Sequence, residues 1–298
     1  MACSDVSNVV DELSSRYPEI GVIESRIGGG LSDSFLYQVF AGNRKKVLKL
    51  QTAQEEFAFY NKIGPRLIGT PSWLPTVYAM GVIREWNWLL LEYIEHPLPP
   101  NRYTFDKEAI GTLRKLHTVE VSPTQVAWVD QEWLPEHIES ASGRLPLKTV
   151  LQLREVHKLY ELIKDENRVL CSGDPNVPNW RVRSNGSIVL LDWQRICFEN
   201  RAIDLAGWLA KMVSFKDMMT VASIYLSSID ERHVASLARD TAVYFCRRGV
   251  LNLWYEKTSA KPELWEKGNK KLAALLPEWI DTLISDMKSS KALSASPF

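Results

Sequence analysis

One stretch of the chain, Cys171–Asp192, restricts the possible folds more than any other part. The apolar run Arg168–Cys171 leads into it and predicts one strand, and two further short runs, Trp180–Arg183 and Ile188–Leu191, predict two more. The dipeptide Asn185-Gly186 stands between these two runs and favours a tight hairpin with a type I′ turn. The stretch therefore predicts a strand, a polar loop and then a two-stranded hairpin.

Three polar side chains in this stretch suggest chemistry. Asp174 and Asn179 lie in the polar loop, and Asp192 follows the last strand, so we expect all three at the same end of one small sheet. Asp and Asn are common in turns, and each alone would fit an ordinary loop. In this order they offer oxygen ligands for Mg²⁺ and one further carboxylate that can accept a proton from a hydroxyl. This set is typical of phosphoryl transfer from a nucleotide.

The same residues resemble a known family, the aminoglycoside phosphotransferases and choline kinase-like proteins, which are small-molecule kinases. The family pattern H-G-D-x-x-x-x-N stands here as Ser172-Gly173-Asp174 with Asn179. A strand ending in I-D-[WFY]-[EQ] stands as Leu191–Gln194. A third signature, P-x-x-D-L-A, is matched by Arg201–Ala206.

The resemblance implies an α+β, bilobal protein-kinase-like fold with an antiparallel-sheet N-lobe and a mainly helical C-lobe. Residues 1–95 would be the nucleotide-binding N-lobe, and residues 96–298 would hold the catalytic loop, the metal site and the acceptor-binding helices. The substrate nucleotide would be ATP or GTP, used with Mg²⁺. Asp174 would be the catalytic base, while Asn179 and Asp192 would bind the metal.

Composition excludes several other classes. Lysine plus arginine and aspartate plus glutamate both total 36 in 298 residues, and no basic run suggests a nucleic-acid groove. No apolar run approaches the roughly 18 residues of a membrane span. The four cysteines lack metal or redox spacing, which predicts reduced thiols in a cytoplasmic protein. We therefore expect no nucleic acid and no membrane as partners. The family resemblance implies a small-molecule partner with a hydroxyl group and leaves the oligomeric state open.

The first part of the chain has the period of a sheet. Three runs, Val22–Ile27, Phe35–Phe40 and Lys46–Leu50, predict strands. A glycine-rich turn lies between the first two, and glycines of this kind are more often part of a plain hairpin than of a phosphate site. No P-loop or Rossmann context surrounds it. The family resemblance assigns phosphate contacts here to the following residues: Gly29, Gly30, Ser32 and Ser34.

Lys49 occupies the place of the kinase lysine that holds the α- and β-phosphates. The alternative is a lysine that faces solvent, as period-2 alternation would allow in a half-buried sheet. A capping box, Thr52–Glu55, predicts a helix over Ala53–Ile63 that stops at Gly64-Pro65. The cap occupies Glu55, and Glu56 with the aromatic residues after it matches the family's R-E-x-x-F-Y helix. The resemblance therefore implies that Glu56 forms the ion pair that positions Lys49.

A second strand pair, Thr76–Ile83 and Trp88–Ile94, precedes the linker His96–Asn101. Under the resemblance, its last residues form the hinge between the lobes. There the backbone groups of Glu92 and Ile94 would bind the purine base. The plainer alternative, a buried strand end, is compatible with this role.

Helices dominate the remainder. Thr104 is expected to cap a helix that ends near His117, which we interpret as a core histidine. Another helix is predicted over Pro146–Lys164, and about four follow Asp204. Asp204 itself is expected to brace the structure at a helix start rather than to act in catalysis.

Ser172 is the main departure from the family, which has histidine at this position. Serine fills less space, so a nucleotide-binding pseudokinase with a regulatory role is the alternative function. A protein kinase is disfavoured, because no A-P-E-like segment follows Asp192 and Trp193 replaces the phenylalanine of the D-F-G motif.

The acceptor stays open at this level. Four acidic residues could receive a polyamine such as an aminoglycoside, or could form a solvated helix face: Asp130, Glu132, Glu136 and Glu139. Three tryptophans could form an aromatic cage for a quaternary ammonium such as choline, or could be core residues: Trp208, Trp254 and Trp265.

Overall fold

The computed structural model describes residues 3–28, 34–67, 73–122, 128–129, 131–259 and 261–293. Contacts between Cα atoms divide the chain into two compact units. The first comprises Met1–Pro97, Pro123–Trp128 and Asn179–Arg195, and the second comprises Leu98–Ser122, Val129–Pro178 and Ile196–Phe298. The division into lobes at residue 95 stays a prediction.

The first unit is built on a five-stranded antiparallel sheet with the order β1-β2-β3-β5-β4. Its strands are β1 (Val22–Gly28), β2 (Phe35–Ala41), β3 (Arg44–Gln51), β4 (Val77–Ile83) and β5 (Trp86–Glu92). Helix α1 (Cys3–Arg16) places Val6, Val9, Val10 and Leu13 at helical spacing, and these side chains share one core with Leu48 and Trp88. One face of the sheet is thereby covered by α1.

The helical segment after β3 differs from the sequence-based prediction. It consists of α2 (Glu55–Ala58), a π-helical turn (Phe59–Ile63) and α3 (Gly64–Leu67). The predicted capping box is wrong, because Gln54 precedes α2 and makes no side-chain capping bond. The segment also continues past Gly64, whose amide bonds the carbonyl of Phe59 in the π turn. Pro65 then falls in the first turn of α3, where a missing N–H costs little.

The hairpin that follows the loop of Asp174 also differs in detail from the prediction. Strands β8 (Trp180–Val182) and β9 (Ile188–Leu190) pair with β6 (His96–Pro97) in a three-stranded sheet. The predicted type I′ turn is wrong, because Gly186 has a positive φ of 85° and Asn185 does not. The amide of Gly186 bonds the carbonyl of Arg183 at 2.9 Å, which makes a three-residue loop closed by a left-handed glycine.

The second unit is mainly helical. Its helices are α4 (Lys107–Leu116), α5 (Pro135–Ser142), α6 (Leu147–Ile163), α7 (Ala202–Trp208), α8 (Phe215–Leu226), α9 (Glu231–Thr258) and α10 (Glu263–Ser289). Helix α9 contacts α5, α6, α7, α8 and α10, and its buried residues lie all around its axis, as expected of a central helix. No helix in the described ranges is long and apolar enough to cross a membrane.

A small sheet in the second unit carries the loop of Asp174. Strand β7 (Arg168–Cys171) pairs with β10 (Cys197–Asn200), and Asp174 follows β7. Asn179 and Asp192 instead flank the β8–β9 hairpin of the first unit. The expectation that one small sheet carries all three polar residues is therefore wrong, because β7 pairs with β10 and not with the hairpin.

The start of α4 is set by Asp106 and not by Thr104. The carboxylate of Asp106 accepts a hydrogen bond from the amide of Ala109 at 2.8 Å, and the helix begins at Lys107. Thr104 instead has a left-handed φ of 68° before the helix. The sequence placed the cap two residues too early.

This assignment predicts a stability change. Asp106→Ala should lower the free energy of unfolding in urea by about 1 kcal/mol, because the first turn of α4 loses its capping acceptor. Asp106→Asn keeps a side-chain oxygen and should lose less. Equal losses in the two variants would show that the cap contributes nothing and that only the charge of Asp106 matters.

Candidate active site

Lys49 lies on the face of β3 that is turned away from α1. Its neighbours Leu48 and Leu50 belong to the core beneath α1, and side chains alternate between the two faces of a strand. The opposite face is also covered, and Lys49 is only 5% exposed. The alternative of a solvent-facing lysine is therefore wrong.

Two carboxylates hold the ammonium group of Lys49. Its Nζ lies 2.6 Å from Oε2 of Glu56 and 2.9 Å from Oδ1 of Asp192. The ion pair with Glu56 expected from the sequence is thus present. Burial alone would lower the pKa of Lys49, but the two carboxylates outweigh it and raise the pKa above its ordinary value. Lys49 is a fixed positive charge at neutral pH.

Asp192 has an uncommon backbone conformation. It follows β9 with a φ of 62°, in the left-handed region that non-glycine residues rarely adopt. Such a conformation costs about 1–3 kcal/mol and occurs most often at functional sites. The side chain is 39% exposed while one of its oxygens contacts Lys49. Asp192 is therefore both anchored and accessible.

Trp193 anchors the residue next to Asp192. Its amide donates to Oε1 of Glu56 at 3.3 Å, and its indole stacks on Phe59 with ring centroids 4.1 Å apart and planes 12° from parallel. Phe59 follows α2, the helix of Glu56. Sequence reasoning found the aromatic residue within the family motif but gave it no role. The contacts show that it joins Asp192 to the helix of Glu56.

The backbone of Asn179 lies beside the residue that precedes Asp192. Its carbonyl accepts a hydrogen bond from the amide of Leu191 at 2.8 Å, so Asn179 and the residue before Asp192 are bonded neighbours. Their side chains supply a carboxamide and a carboxylate, which are hard oxygen donors of the kind that Mg²⁺ prefers. This donor set fits the metal expected from the sequence.

The loop of Asp174, in the second unit, is held at its backbone by Asp204. The amide of Ser172 donates to Oδ2 of Asp204 at 2.9 Å, and the amide of Gly173 donates to Oδ1 at 2.8 Å. Asp174 is half-buried and accepts a hydrogen bond from Nδ2 of Asn176 at 2.9 Å. Asp204 thus acts as the bracing residue that the sequence suggested, and Asn176 orients the carboxylate of Asp174.

A buried network completes this brace. The hydroxyl of Ser172 lies 3.2 Å from Oδ1 of Asp204, and Nε2 of His117 lies 3.1 Å from Oδ2. With Nε2–H donating to the carboxylate, Nδ1 accepts from the hydroxyl of Tyr225 at 2.7 Å. His117 is therefore a structural residue, and serine at position 172 retains a bond to the brace.

His117, Cys171 and Asp204 also meet the spacing of a metal site, since each has a potential ligand atom within 4.8 Å of the others. The oxygens of Asp204, however, already accept from two amides, one hydroxyl and one imidazole. A metal would have to displace these donors from the loop. We therefore interpret the cluster as a hydrogen-bonded brace.

The remaining predicted nucleotide contacts are only partly described. Gly29, Gly30 and Ser32 lie outside the described residues, and Ser34, the first residue of the described range 34–67, is buried. The amide of Glu92 bonds the carbonyl of Thr76 at 2.8 Å, and Ile94 is 8% exposed. Contacts of these residues with a nucleotide stay predictions.

The residues that the sequence offered for binding the acceptor are also described only in part. Glu132 lies 3.1 Å from Lys164 and Glu139 lies 2.7 Å from Arg154, so both acidic groups already have cationic neighbours. Asp130 lies outside the described residues. Trp208 is fully buried, and its indole N–H bonds the carbonyl of Thr104, which makes it a core residue.

Comparison with known proteins gives one family match. A model of the "phosphotransferase enzyme family" matches residues 25–231. No curated protein sequence matches the chain. The motif residues Ser172–Asn179, Asp192 and Asp204 all lie within the matched range.

Solved structures with the same fold include a spectinomycin phosphotransferase in complex with ADP and spectinomycin, at 15% identity and a TM-score of 0.64, with 92% of this chain and 98% of that chain covered. A choline kinase from Streptococcus pneumoniae is 15% identical with a TM-score of 0.59, and the match covers 93% of this chain and 99% of that chain. An ethanolamine kinase from Plasmodium vivax is 16% identical with a TM-score of 0.59, and the match covers 87% of this chain and 84% of that chain. These structures confirm the α+β kinase-like fold. The family resemblance is confirmed by the family model that matches residues 25–231.

The hydrogen-bonded network around Asp204 predicts unequal effects of substituting Asp204 and Ser172. Asp204→Asn should lower the free energy of unfolding by about 3 kcal/mol, because its NH₂ group would face backbone donors that now bond a carboxylate. Ser172→Ala removes a single hydroxyl bond and should cost about 1 kcal/mol. Urea unfolding of both variants measures the difference, and an equally small loss in both would contradict the bracing role.

Gly207 predicts a second effect on the same loop. A Cβ atom at this position of α7 would lie 2.6 Å from Cδ of Pro175, which follows Asp174. Gly207→Ala should therefore displace the loop and reduce phosphoryl transfer by about tenfold or more. Gly249→Ala in α9 is the matched control, since its Cβ would meet only Leu272 at 3.8 Å. Equal activity of the two variants would contradict the prediction.

Proposed function

Because the chain belongs to the phosphotransferase enzyme family, we propose that it transfers the γ-phosphoryl group of ATP, or of GTP, to a hydroxyl group of a small molecule. The observation that carries this proposal is the buried ammonium of Lys49 between Glu56 and Asp192. A buried cation held by two carboxylates, one of them accessible, is suited to receive the phosphates of a nucleotide.

The residues of the first unit would bind the nucleotide. Lys49 would neutralise the α- and β-phosphates, with Glu56 fixing its position. Asn179 and Asp192 would hold Mg²⁺, which would offset the negative charge of the phosphates. The backbone near Glu92 and Ile94 would receive the purine base.

Asp174 would act on the acceptor. Its carboxylate, oriented by Asn176, would align the hydroxyl with the phosphorus atom and accept its proton as the new P–O bond forms. The bond between the γ-phosphorus and the bridging oxygen breaks, and the nucleoside diphosphate leaves. Most of the acceleration would come from positioning and charge neutralisation.

The acceptor class is an amine-bearing alcohol, either an aminoglycoside or other antibiotic or an amino alcohol such as choline. Support comes from the matching structures, whose proteins are a spectinomycin phosphotransferase, a choline kinase and an ethanolamine kinase. The pairing of Glu132 and Glu139 with cations makes a highly charged polyamine the weaker candidate within this class.

The proposal predicts the outcome of an acceptor screen. Purified protein with Mg·ATP should consume ATP in the presence of one member of a panel of aminoglycosides, macrolides, choline-like amino alcohols and sugars. Asp174→Ala should reduce that rate at least about a hundredfold, because the proton acceptor is lost. Nucleotide binding should survive in this variant.

Asp192→Ala distinguishes a loss of nucleotide binding from a loss of transfer alone. It should weaken Mg·ATP binding as well as transfer, because a metal ligand and a partner of Lys49 are removed together. Unchanged turnover in Asp174→Ala would contradict the catalytic role. Tight Mg·ATP binding with no transfer to any acceptor would favour a nucleotide-binding protein without catalysis.

A further inference from the structure

Glu92 and Arg183 form a bidentate ion pair in the first unit, away from the Lys49 site. Nε of Arg183 donates to Oε1 of Glu92 and Nη2 donates to Oε2, both at 2.6 Å. The two side chains are only 17% and 19% exposed. Two parallel bonds of this kind fix both orientation and distance, unlike a single contact between mobile surface charges.

The same pair is bonded to the segment that precedes β4. Nη2 of Arg183 also donates to the carbonyl of Leu74 at 2.9 Å. Oε2 of Glu92 accepts from the amide of Thr76 at 3.0 Å and from its hydroxyl at 3.2 Å. Residues 74–76 are thus held by both partners of the ion pair.

Backbone bonds tie the same three segments together. The amide of Glu92 bonds the carbonyl of Thr76 at 2.8 Å, at the end of β5. The amide of Leu190, in β9, bonds the carbonyl of Trp73 at 2.9 Å. The end of β5, the segment before β4 and the β8–β9 hairpin therefore form one bonded junction, with the Glu92–Arg183 pair at its centre.

This junction lies between two parts of the proposed nucleotide site. The end of β5 leads to Ile94, where the purine base would bind. The β8–β9 hairpin runs from Asn179, the residue before β8, to Asp192, two residues after β9. A shift of the hairpin relative to β5 would change the distance from the purine to the metal ligands.

We propose that Glu92 and Arg183 are positioning residues that hold the hairpin of Asn179 and Asp192 at a fixed distance from the purine-binding end of β5, and thereby set the affinity for Mg·ATP. The inference rests on the proposed function. Neither side chain needs to touch the nucleotide, because both act through the residues that do.

The electrostatics of Glu92 agree with this role. Burial alone would raise its pKa, but the hydrogen bonds from Arg183 and Thr76 outweigh burial and lower the pKa below its ordinary value. Glu92 is therefore ionised at neutral pH and keeps Arg183 in place. An exposed ion pair would contribute little to position, whereas this pair has five hydrogen bonds and is mostly buried.

The test measures Mg·ATP binding by the full chain and its variants Arg183→Gln, Arg183→Lys and Glu92→Gln. Arg84→Gln is the control, since it removes an exposed ion pair with Glu12 in the same unit. We expect Arg183→Gln and Glu92→Gln to raise the Kd of Mg·ATP at least tenfold, a size typical of residues that orient metal ligands. Arg183→Lys should recover part of the loss, and the control should match the wild type.

Hydrogen exchange of residues 187–191 in the nucleotide-free protein supplies a second readout. Arg183→Gln should speed exchange there while the unfolding midpoint of the protein changes little, whereas a general loss of stability would speed exchange throughout. Wild-type Kd and wild-type exchange in Arg183→Gln would overturn the inference and leave the proposed function intact. Absence of Mg·ATP binding by the wild-type protein would contradict the proposed function, and the inference would fall with it.

Discussion

The first unit depends on one buried charge. Lys49 is almost completely removed from water, and an unpaired ammonium in that position would cost several kcal/mol, by order of magnitude. Glu56 and Asp192 offset this cost only if α2 and the end of β9 both lie against β3. The stacking of Trp193 on Phe59 fixes the same two elements by apolar contact. The arrangement of sheet, helix and hairpin therefore follows from the need to neutralise a single lysine.

The second unit also contains a buried charged group, the carboxylate of Asp204, that needs hydrogen-bond partners. Asp204 is fully buried, and its oxygens are satisfied by backbone amides of the Asp174 loop, a serine hydroxyl and His117. The loop is thus defined at its backbone, which leaves the side chain of Asp174 available for chemistry. Serine at position 172 is compatible with this design, because three of the four hydrogen bonds to Asp204 come from backbone amides and His117 and do not depend on the side chain at position 172.

The sequence predicted the residues that are fixed by strong, local patterns. Lys49 and Glu56 could be paired in advance from the family's helix motif, although the capping box used to exclude Glu55 does not form. Asp204 could be identified as a brace from its place at a helix start. The errors fall on finer choices between neighbouring residues. Asp106 and Thr104 are both good capping residues, and only the tertiary packing of α4 decides between them. The hairpin turn around Gly186 likewise depends on the register of β8 and β9.

Other features could not be predicted, because they join residues far apart in the chain. The Glu92–Arg183 pair joins the end of β5 to the residue after β8, 91 positions later in the chain, and no local pattern marks either residue as a partner of the other. Trp193 was visible in a motif, but its contact with Phe59 depends on a π-helical turn that the sequence did not indicate. Pairing of β7 with β10 rather than with the hairpin has the same origin.

The most direct test of the account is the rate of Mg²⁺-dependent γ-phosphoryl transfer by Lys49→Arg compared with the wild type. Arginine keeps the positive charge between Glu56 and Asp192, so the protein should fold, but its longer planar group cannot place that charge where the lysine does. The account predicts a rate at least about a hundredfold lower, with an unfolding midpoint close to that of the wild type. A variant that transfers phosphate at the wild-type rate would contradict the central role of Lys49.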